Sequence, residues 1–355
     1  MRVHHIINNY SNFTGGAPRV VRALHEGLRR RDVQSFVLGL TRQEDPHLDG
    51  ARSLGLHSPY ALAAFRGIAG YVRADVQAGD IIHVHLFPPL LYLSLLKLLR
   101  QARGRLVCTE HSTSNRRRAG VLGRALDTVT YAGYERVVAI SPGVEQELLK
   151  WKPSLKGKTT IIPNGVHLAF DRIIRRNGRR PLKIVSVGNL RPAKNYDGAL
   201  RAVALLEDGE FEYHIAGSGE SRQALHNLSH ELGLQDRVRF LGYVNSVPEL
   251  LAAADVFLMP SRWEGFGIAA VEAMNAALPL IVGDVPGLRE IVGGEAPCAL
   301  LVDPQSPRAI AAAVSQLLRS PDLRRRLGAN AFHRAHTYSL ERMVDGYLSL
   351  YHELI

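Results

Sequence analysis

Short apolar segments alternate with helix-like segments along the whole chain, and no other feature limits the fold so strongly. Each apolar run ends in turn residues, as buried strands do, and helices separate the runs. This pattern is typical of parallel sheets covered by helices on both faces. The sequence therefore predicts an α/β fold built from two doubly wound parallel-sheet domains. The predicted strands are Arg2–Asn8, Gln34–Leu40, DIIHVHLF, RLVCTEH, ERVVAIS and TTIIPNGV, then KIVSVGNL, EYHIAGSG, VRFLGYV, DVFLMPS, LPLIVGD and CALLVDP.

The length of 355 residues also fits two domains. The segment DRIIRRNGRRP, Asp171–Pro181, has the charged, Gly- and Pro-containing composition of a linker. We therefore expect one domain over residues 1–172 and a second over residues 180–336.

Positive charge is concentrated in the first half of the chain. Residues 1–178 carry 26 Lys+Arg and 13 Asp+Glu, a net +13, whereas the remainder carries 18 and 20, a net −2. Nucleic acid, an anionic membrane surface, a phosphorylated substrate or an ordinary solvated surface would each account for a basic half.

Composition excludes several classes of protein. The two cysteines, Cys108 and Cys298, are too few for a disulfide scaffold or a Cys-rich zinc site. The N-terminus lacks the profile of a signal peptide. The most apolar run, Ile81–Leu96, is interrupted by histidines and prolines and is too short for a bilayer span. We expect a soluble cytoplasmic protein.

In doubly wound folds, ligands bind beyond the carboxyl ends of the strands. Gly15 and Gly16 follow the first strand, where paired glycines either let backbone N–H groups approach an anion or form a plain turn. Gly217 and Gly219 lack the third glycine of a dinucleotide fingerprint, since Arg222 stands there. The sequence also has no phosphate-loop, zinc-protease or Asp-x-Asp motif. We therefore expect neither a nicotinamide cofactor nor a metal ion.

The stretch SRWEGFGIAAVEAMNA, Ser261–Ala276, carries two carboxylates. Glu264 follows a strand in a Gly-rich turn, and Glu272 lies a little over two helical turns later. Carboxylates in such positions accept hydrogen bonds from sugar hydroxyls, although a helical Glu is more often a solvated surface residue. Trp263 either stacks on a sugar ring or packs in the core.

This stretch resembles the E-x7-E signature of the retaining glycosyltransferases of family 4, which have the GT-B fold of two Rossmann-like domains facing across a cleft. The resemblance covers essentially the whole chain and implies that residues 337–355 form a helix packing back on the N-terminal domain. Further segments that resemble the family in the same order are GGAPRVVRALHEGLRRR, TEHST, AISPGVEQELL, IIPNGV, VGNLRPAKNYDGAL, IAGSGES, RVRFLGYV, GDVPGLREIV and YSLERMVDGYLSLY.

The resemblance implies transfer of a sugar from a nucleotide-diphosphate sugar, UDP-linked rather than GDP-linked, with retention and without a metal. The N-terminal domain would bind the acceptor and the C-terminal domain the donor. The implied catalytic residues are His111, Lys194, Arg191 and Glu264. The implied donor-binding residues are Gly15, Gly16, Asn189, Gly217, Tyr243, Val244, Phe266, Gly267, Ile268 and Glu272, the last holding the donor ribose.

Three positions depart from the family pattern. Asn189 replaces an Arg, and Arg191 stands two positions later as a possible substitute for its charge. Ala277 stands where the family often has Gly, and Val285-Pro-Gly287 replaces a Gly-Gly pair. These changes concern the sugar pocket and leave the fold prediction intact.

The acceptor side is less defined. Arg116, Arg117 and Arg118 follow His111, and they indicate either an anionic acceptor or a solvated charge run. The stretch FPPLLYLSLLKLLR, 87–100, is either an interfacial helix or a core helix. We expect a glycan or lipid-linked acceptor such as a lipopolysaccharide, O-antigen or capsule intermediate. We also expect peripheral contact with the inner face of an anionic cytoplasmic membrane, and no nucleic acid.

Two other functions stay open from the residues alone. One is another GT-B-fold enzyme, such as a nucleotide-sugar epimerase, and the other is a non-catalytic basic protein that binds membrane or nucleic acid. His83 and His85 alternate along one predicted strand, so they either reach a site or line the core.

Overall fold

The computed structural model describes residues 1–11, 15–43, 47–115, 117–174, 181–206 and 210–355. The chain forms two compact units. The N-unit comprises Met1–Gly165 together with Leu340–Ile355, and the C-unit comprises Val166–Ser339. The change from one unit to the next therefore falls at Val166, ahead of the linker expected from composition.

The N-unit contains a seven-stranded parallel sheet in the order β3-β2-β1-β4-β5-β6-β7. Its strands are β1 Arg2–Ile7, β2 Gln34–Thr41, β3 Ala51–Leu56, β4 Ile81–His85, β5 Arg105–Glu110, β6 Arg136–Ala139 and β7 Thr159–Ile161. Its helices are α1 Gly16–Arg29, α2 Leu62–Asp75, α3 Pro89–Leu98, α4 Gly120–Ala132 and α5 Pro142–Trp151, with a 3-10 turn at Pro153–Leu155.

The C-unit contains a six-stranded parallel sheet in the order β10-β9-β8-β11-β12-β13. Its strands are β8 Leu182–Val187, β9 Phe211–Ala216, β10 Val238–Gly242, β11 Val256–Met259, β12 Leu280–Gly283 and β13 Ala299–Val302. Its helices are α6 Tyr196–Ala204, α7 Arg222–Glu231, α8 Val247–Ala252, α9 Ile268–Asn275, α10 Leu288–Val292, α11 Pro307–Arg319 and α12 Pro321–Ala335, with 3-10 turns at Pro192–Lys194 and His336–Tyr338.

Both sheets have the strand order of a doubly wound fold, so the predicted fold class is confirmed. In each sheet the order reverses once, between β1 and β4 in the N-unit and between β8 and β11 in the C-unit. At such a reversal the following connections run to opposite faces and leave a crevice beyond the strand ends, where ligands bind. The reversals therefore direct attention to the loops after these four strands.

Several helices begin with the same dipeptide, a serine followed by a proline. The hydroxyls of Ser141, Ser306 and Ser320 each accept a hydrogen bond from a backbone N–H of the first turn. Proline in the next position has no N–H to leave unsatisfied, and its fixed φ suits the first turn. These dipeptides fix where α5, α11 and α12 start.

The C-terminal helix α13, Leu340–His352, lies in the N-unit and packs against α1. Gly27 on α1 allows the close approach, because a Cβ there would lie 2.4 Å from Cγ2 of Val344. Tyr347 and Tyr351 of α13 are fully buried. The chain therefore returns to the N-unit after completing the C-unit.

Helix α3 corresponds to most of the apolar stretch 87–100. Leu90, Leu93 and Leu96 are buried in the core of the N-unit, whereas Leu98 and Leu99 at the end of the helix are exposed. The stretch is thus a core helix, and its alternative interpretation as an interfacial helix is wrong. None of the helices within the described ranges is both long and apolar enough to cross a bilayer.

Candidate active site

Two loops of the C-unit are tied together at the point where its strand order reverses. The backbone N–H of Arg262, after β11, donates to the carbonyl of Ala193, after β8, at 2.8 Å. The guanidinium of Arg262 also makes two hydrogen bonds to the carboxylate of Asp197, at 3.0 and 2.6 Å. Burial alone would raise the pKa of Asp197, but the hydrogen bonds and charge of Arg262 outweigh it and lower the pKa. The Arg262–Asp197 pair, which we call the clamp, therefore holds the loop after β11 against the loop after β8.

Lys194 and Glu264 form an ion pair across the same two loops. Both side chains are mostly but not fully buried, at 22% and 17% exposure. The buried side chain of Asn195 supports this arrangement, because its amide donates to the carbonyls of Pro260 at 2.9 Å and Pro304 at 2.6 Å. The structure thus brings a predicted cation and a predicted carboxylate into direct contact.

The turn after Glu264 leads straight into α9. Gly267 precedes the helix with a φ of 101°, and a Cβ there would lie 2.7 Å from Leu288. Only glycine combines this conformation with so close a neighbour. Phe266 is buried and packs edge-on against Tyr338, with ring centroids 5.4 Å apart. Phe266 and Gly267 thereby fix the start of α9 at Ile268, four residues after Glu264.

Glu272 lies one turn further along α9 and is partly buried. Its neighbours on the helix, Val271, Ala273 and Met274, are fully buried. A carboxylate on a helix with so apolar a surrounding is not the usual solvated surface residue. Glu272 therefore remains a candidate ligand-binding group.

The other predicted donor residues of the C-unit follow β8, β9 and β10. Gly217 has a φ of 140°, and a Cβ there would lie 2.0 Å from the carbonyl oxygen of Gly188, so the loops after β8 and β9 touch through their backbones. Asn189 and Val244 are partly buried, while Tyr243 is 60% exposed. These residues share the carboxyl edge of the sheet with the ion pair.

Arg191 lies in the loop after β8, and its side chain is exposed. Within the described part of the chain, no carboxylate pairs with it. Lys194 and Arg262, in contrast, are both neutralised by carboxylates of the unit. Arg191 therefore offers uncompensated positive charge at this edge.

The structure shows the backbone conformation at two of the positions that depart from the family pattern. Ala277, two residues after the end of α9, has a φ of 54°, a conformation that favours Gly, so this departure strains the chain just beyond the helix. Gly287 has a φ of 85°, and a Cβ there would lie 2.6 Å from the carbonyl oxygen of Glu264. The glycine of the Val285-Pro-Gly287 segment thus stands where the backbone needs one.

The N-unit has a cavity of about 580 Å³ beyond the ends of β4 and β5. Asn8 donates from its side-chain amide to the carbonyl of Phe87 at 2.9 Å, while its own side-chain oxygen is buried and has no hydrogen-bond partner in the described ranges. His111, the predicted site histidine, also lines the cavity. The full lining consists of Asn8, Tyr60, Leu86, Phe87, Thr109, Glu110, His111, Ser112, Ser114, Asn115 and Arg117.

The arginines after His111 belong to a buried ion-pair network. Arg117 contacts Asp127 at 2.6 Å through Nε, and Arg118 contacts Glu110 at 2.7 Å. Burial would raise the pKa of Glu110, but the charges of Arg118 and Arg117 outweigh it and lower the pKa. The expectation that this run offers free positive charge is therefore wrong for Arg117 and Arg118. Arg116 lies outside the described residues.

The predicted glycine loop is only partly described, since residues 12–14 are outside the described ranges. Gly15 has a φ of 141° and precedes α1, which starts at Gly16 without a side-chain cap. His83 and His85, left open between site and core, are fully buried in the sheet. Trp263 is 47% exposed, which excludes its core interpretation.

Sequence reasoning missed the clamp residues Asp197 and Arg262, and the cavity residues Asn8, Tyr60 and Phe87. The clamp pair is separated by 65 residues, so no local pattern relates its members. Asn8, in contrast, directly follows a strand at the reversal point, and the rule used for Gly15 would have identified it.

Comparisons with known proteins agree on one family. The model of the glycosyl transferases group 1 matches residues 170–334, and the model of glycosyltransferase family 4 matches residues 14–170. An uncharacterized glycosyltransferase of Methanocaldococcus jannaschii is 32% identical over 350 residues, covering 89% of this chain and 88% of the relative.

Two relatives have more specific names. A D-inositol 3-phosphate glycosyltransferase of Thermomonospora curvata is 29% identical, over 90% of this chain and 76% of the relative. A lipopolysaccharide core biosynthesis glycosyltransferase of Rhizobium meliloti is 33% identical, over 62% of this chain and 64% of the relative.

Solved structures share the fold. A sucrose-phosphate synthase from Thermosynechococcus elongatus superposes with a TM-score of 0.84 at 21% identity, covering 100% of this chain and 99% of the other. An Anabaena protein, HepE, in complex with UDP and glucose superposes with a TM-score of 0.82 at 18% identity, covering 99% of both chains.

Proposed function

Because the chain belongs to the group 1, family 4 glycosyltransferases and has their GT-B fold, we propose that it transfers a sugar from a nucleotide-diphosphate sugar to a glycan or lipid-linked acceptor. We further propose that the reaction retains the anomeric configuration, uses UDP in preference to GDP, and needs no metal ion. The Lys194–Glu264 ion pair at the strand-order reversal of the C-unit carries the proposal.

Two cations would stabilise the leaving diphosphate. Breaking the sugar–phosphate bond places new negative charge on the nucleoside diphosphate, and fixed positive groups lower the barrier most where that charge develops. Lys194 is held in place by Glu264 and retains further N–H donors for a phosphate. Arg191 adds the charge that Asn189 does not supply, since no carboxylate in the described ranges pairs with it.

Glu264 and Glu272 would bind hydroxyls of the donor. Glu272 would accept hydrogen bonds from the ribose, and Glu264 would contact the sugar while orienting Lys194. The backbone N–H groups around Phe266 and Gly267, at the start of α9, would face the phosphates or the sugar. The UDP-bound and glucose-bound HepE structure, which shares the fold, supports a nucleotide-sugar donor.

Retention requires either a carboxylate nucleophile or attack from the side of the leaving group. Glu264 is engaged with Lys194, so we assign no carboxylate as the nucleophile. In same-face attack, the acceptor oxygen bonds to the anomeric carbon as the sugar–phosphate bond breaks, and the departing phosphate oxygen takes the acceptor's proton. Lys194 and Arg191 would stabilise that phosphate oxygen as it departs.

The N-unit cavity would receive the acceptor. Its wall combines neutral hydrogen-bonding groups, including Asn8, Ser112 and Asn115, with the aromatic rings of Tyr60 and Phe87. Such a surface suits the hydroxyls and apolar faces of a sugar ring. A lipopolysaccharide core biosynthesis relative supports a glycan acceptor of that kind.

Peripheral membrane contact would bring the cavity near a lipid-linked acceptor. Val121 and Leu122, at the start of α4, are 82% and 87% exposed, and they follow the loop whose Asn115 and Arg117 line the cavity. Arg124 on the same helix is also exposed, and exposed apolar side chains beside an exposed cation favour binding to an anionic bilayer surface.

Ligand-induced stabilisation tests the donor assignment. We expect UDP to raise the melting temperature of the protein more than GDP does, and we expect RNA of equal phosphate concentration to leave it unchanged. Mass spectrometry of UDP-sugars incubated with the protein should then show slow release of UDP. Stabilisation by RNA without stabilisation by any nucleoside diphosphate would contradict the proposal.

A further inference from the structure

Three histidines of the N-unit form a continuous chain of ring contacts at the point where its strand order reverses. His5 lies on β1 and His85 on β4, and both are fully buried. His111 follows β5 and lines the cavity. His85 Nδ1 lies 3.2 Å from His111 Nε2, and His85 Nε2 lies 3.4 Å from His5 Nδ1. These contacts connect the cavity to the interior of the sheet.

His83 is a neighbour of this chain but not a member. Its Nδ1 lies 2.6 Å from the hydroxyl of Tyr351 and its Nε2 lies 2.7 Å from the hydroxyl of Thr109. Nitrogens of His5, His83 and His85 do approach one another within 4.8 Å, as in a metal site. Hydrogen bonds occupy both nitrogens of His83 and of His85, so the described geometry fits a hydrogen-bonded chain better than a set of metal ligands.

All three rings are neutral at pH 7. Burial, together with the nearby histidines, lowers the pKa values of His5 and His85 well below the ordinary value. Desolvation lowers the pKa of His111 to about 4, although the charge of Glu110 opposes the shift. A neutral imidazole has one N–H and one bare nitrogen. Only two arrangements of the ring protons therefore make both ring–ring contacts hydrogen bonds: each ring donates towards the cavity, or each ring donates away from it.

His5, the ring furthest from the cavity, decides between these two arrangements. His5 Nε2 is buried and has no hydrogen-bond partner in the described ranges. An N–H left there would be an unsatisfied buried donor, which is rarely tolerated, whereas a bare nitrogen costs less. The proton of His5 therefore belongs on Nδ1, where it is donated to His85 Nε2. His85 in turn carries its proton on Nδ1 and donates it to His111 Nε2.

We propose that His5 and His85 are positioning residues that fix His111 as the Nδ1–H tautomer. His111 Nε2 accepts the hydrogen bond from His85 Nδ1, and the Nδ1 atom of His111 has no hydrogen-bond partner in the described ranges. The ring therefore presents a neutral N–H donor, suited to a hydroxyl or carbonyl oxygen of a ligand in the N-unit cavity. Its use in sugar transfer rests on the proposed function, whereas the tautomer itself does not.

Nuclear magnetic resonance of protein labelled with ¹⁵N-histidine tests the tautomer directly. Long-range ¹H–¹⁵N correlations at pH 7 should show His111 protonated on Nδ1, with the signal identified by its loss in His111→Ala. In His85→Leu we expect a mixture of both tautomers. His83→Leu is the matched control, because it removes a buried histidine of the same sheet face that is outside the chain, and we expect it to keep the Nδ1–H form.

An Nε2–H tautomer in the native protein, or an unchanged tautomer in His85→Leu, would overturn the proposal. So would stoichiometric zinc in the purified protein that His83→Leu and His85→Leu both lose. If His85→Leu does not fold, His5→Leu, one ring further from the cavity, provides the same readout.

Turnover separates this proposal from the proposed function. If transfer is observed, His85→Leu should lower kcat about tenfold, with less change in KM for the donor. If no nucleotide sugar is ever a substrate but the tautomer result holds, the proposed function fails and the positioning role remains.

Discussion

At the residue scale, the two carboxylates of Ser261–Ala276 have different surroundings and should have different roles. Glu264 is engaged with Lys194, while Glu272 lies along α9 among fully buried neighbours. A carboxylate that binds the donor ribose acts equally on the bound ground state and the transition state. Its loss should therefore affect binding rather than turnover.

We expect Glu272→Ala to weaken UDP binding about tenfold or more while kcat at saturating donor changes little. Isothermal titration calorimetry measures the first effect and steady-state kinetics the second. Glu231→Ala, at an exposed position at the end of α7, is the control and should bind UDP normally. Unchanged UDP affinity in Glu272→Ala would exclude the ribose-binding role.

Lys194 should act mainly on the chemical step, because the leaving diphosphate gains charge only as the bond breaks. We expect Lys194→Ala to lower kcat by about a hundredfold, since removing one such donor typically costs that much or more. Arg201→Ala, exposed on α6, is the control. Near-normal turnover in Lys194→Ala would identify Arg191 as the principal cation, and a further large loss in the double variant would confirm that identification.

At the element scale, β1 and β4 place four buried histidines in one sheet, His4, His5, His83 and His85, and this gives the fold a dependence on pH. Burial lowers the pKa values of His5, His83 and His85 well below 6.5. In the unfolded chain these side chains bind protons as the pH falls through about 6.5, but in the folded chain they do not. Acid therefore favours the unfolded state below that pH.

We expect the free energy of unfolding to be constant above about pH 7 and to decrease as the pH falls from 6.5 towards 5. Each such histidine contributes at most about 1.4 kcal/mol per pH unit. Urea denaturation at several pH values should show a shallower decrease for His83→Leu than for the wild type. His352→Gln, exposed at the end of α13, should keep the wild-type slope, and an equal slope in His83→Leu would contradict the assignment.

Individual elements differ in how far the sequence predicted them. Of the thirteen strands in the described ranges, twelve were predicted, because short buried runs between helices have few alternative structures. The strand that was missed is β3, where no side chain is buried and the sequence therefore shows no apolar run. Helix α3 could not be assigned to core or interface from its composition, since its leucines suit either environment. Packing against the sheet decided the matter by burying Leu90, Leu93 and Leu96.

At the scale of the whole molecule, part of the excess positive charge is buried and paired with carboxylates instead of lying on the surface. Arg117 and Arg118 are at most 10% exposed and are paired with Glu110 and Asp127. Replacing them would leave buried carboxylates unpaired, which typically costs about 3–5 kcal/mol of stability. They are therefore unsuitable for testing membrane contact.

Val121 and Leu122 provide the better test. We expect the double variant Val121→Ser, Leu122→Ser to bind vesicles containing anionic lipid at least tenfold more weakly than the wild type, because two apolar side chains no longer enter the interface. UDP affinity should be unchanged. Wild-type binding should weaken as salt is raised, since exposed charges are screened within about 8 Å at physiological ionic strength.

Leu98→Ser, Leu99→Ser is the matched control. These leucines are also exposed, but they lie at the other end of α4 from Val121 and Leu122. The residue before them, Lys97, contacts Gly133 at the C-terminal end of that helix. The control should bind vesicles as the wild type does. Equal losses in both double variants would indicate a non-specific apolar effect, and no binding of the wild type to anionic vesicles would favour an acceptor that is not membrane-linked.

The sequence by itself determined the fold class, the two parallel sheets and the position of most candidate site residues. It could do so because strand periodicity and turn residues are local signals, and because ligands of doubly wound folds bind beyond the strand ends. Glu264 and Gly267 are identified by their place in the turn after a strand, whereas Lys194 is identified by the family resemblance.

The tertiary structure alone decided which of these groups meet. Lys194 pairs with Glu264 across 70 residues and Arg262 with Asp197 across 65. His111, after β5, contacts His85 on β4, which contacts His5 on β1. It also decided that Arg117 and Arg118 are internally neutralised. Charge pairing and burial depend on side chains brought together from distant parts of the chain, and no local pattern in the sequence encodes those contacts.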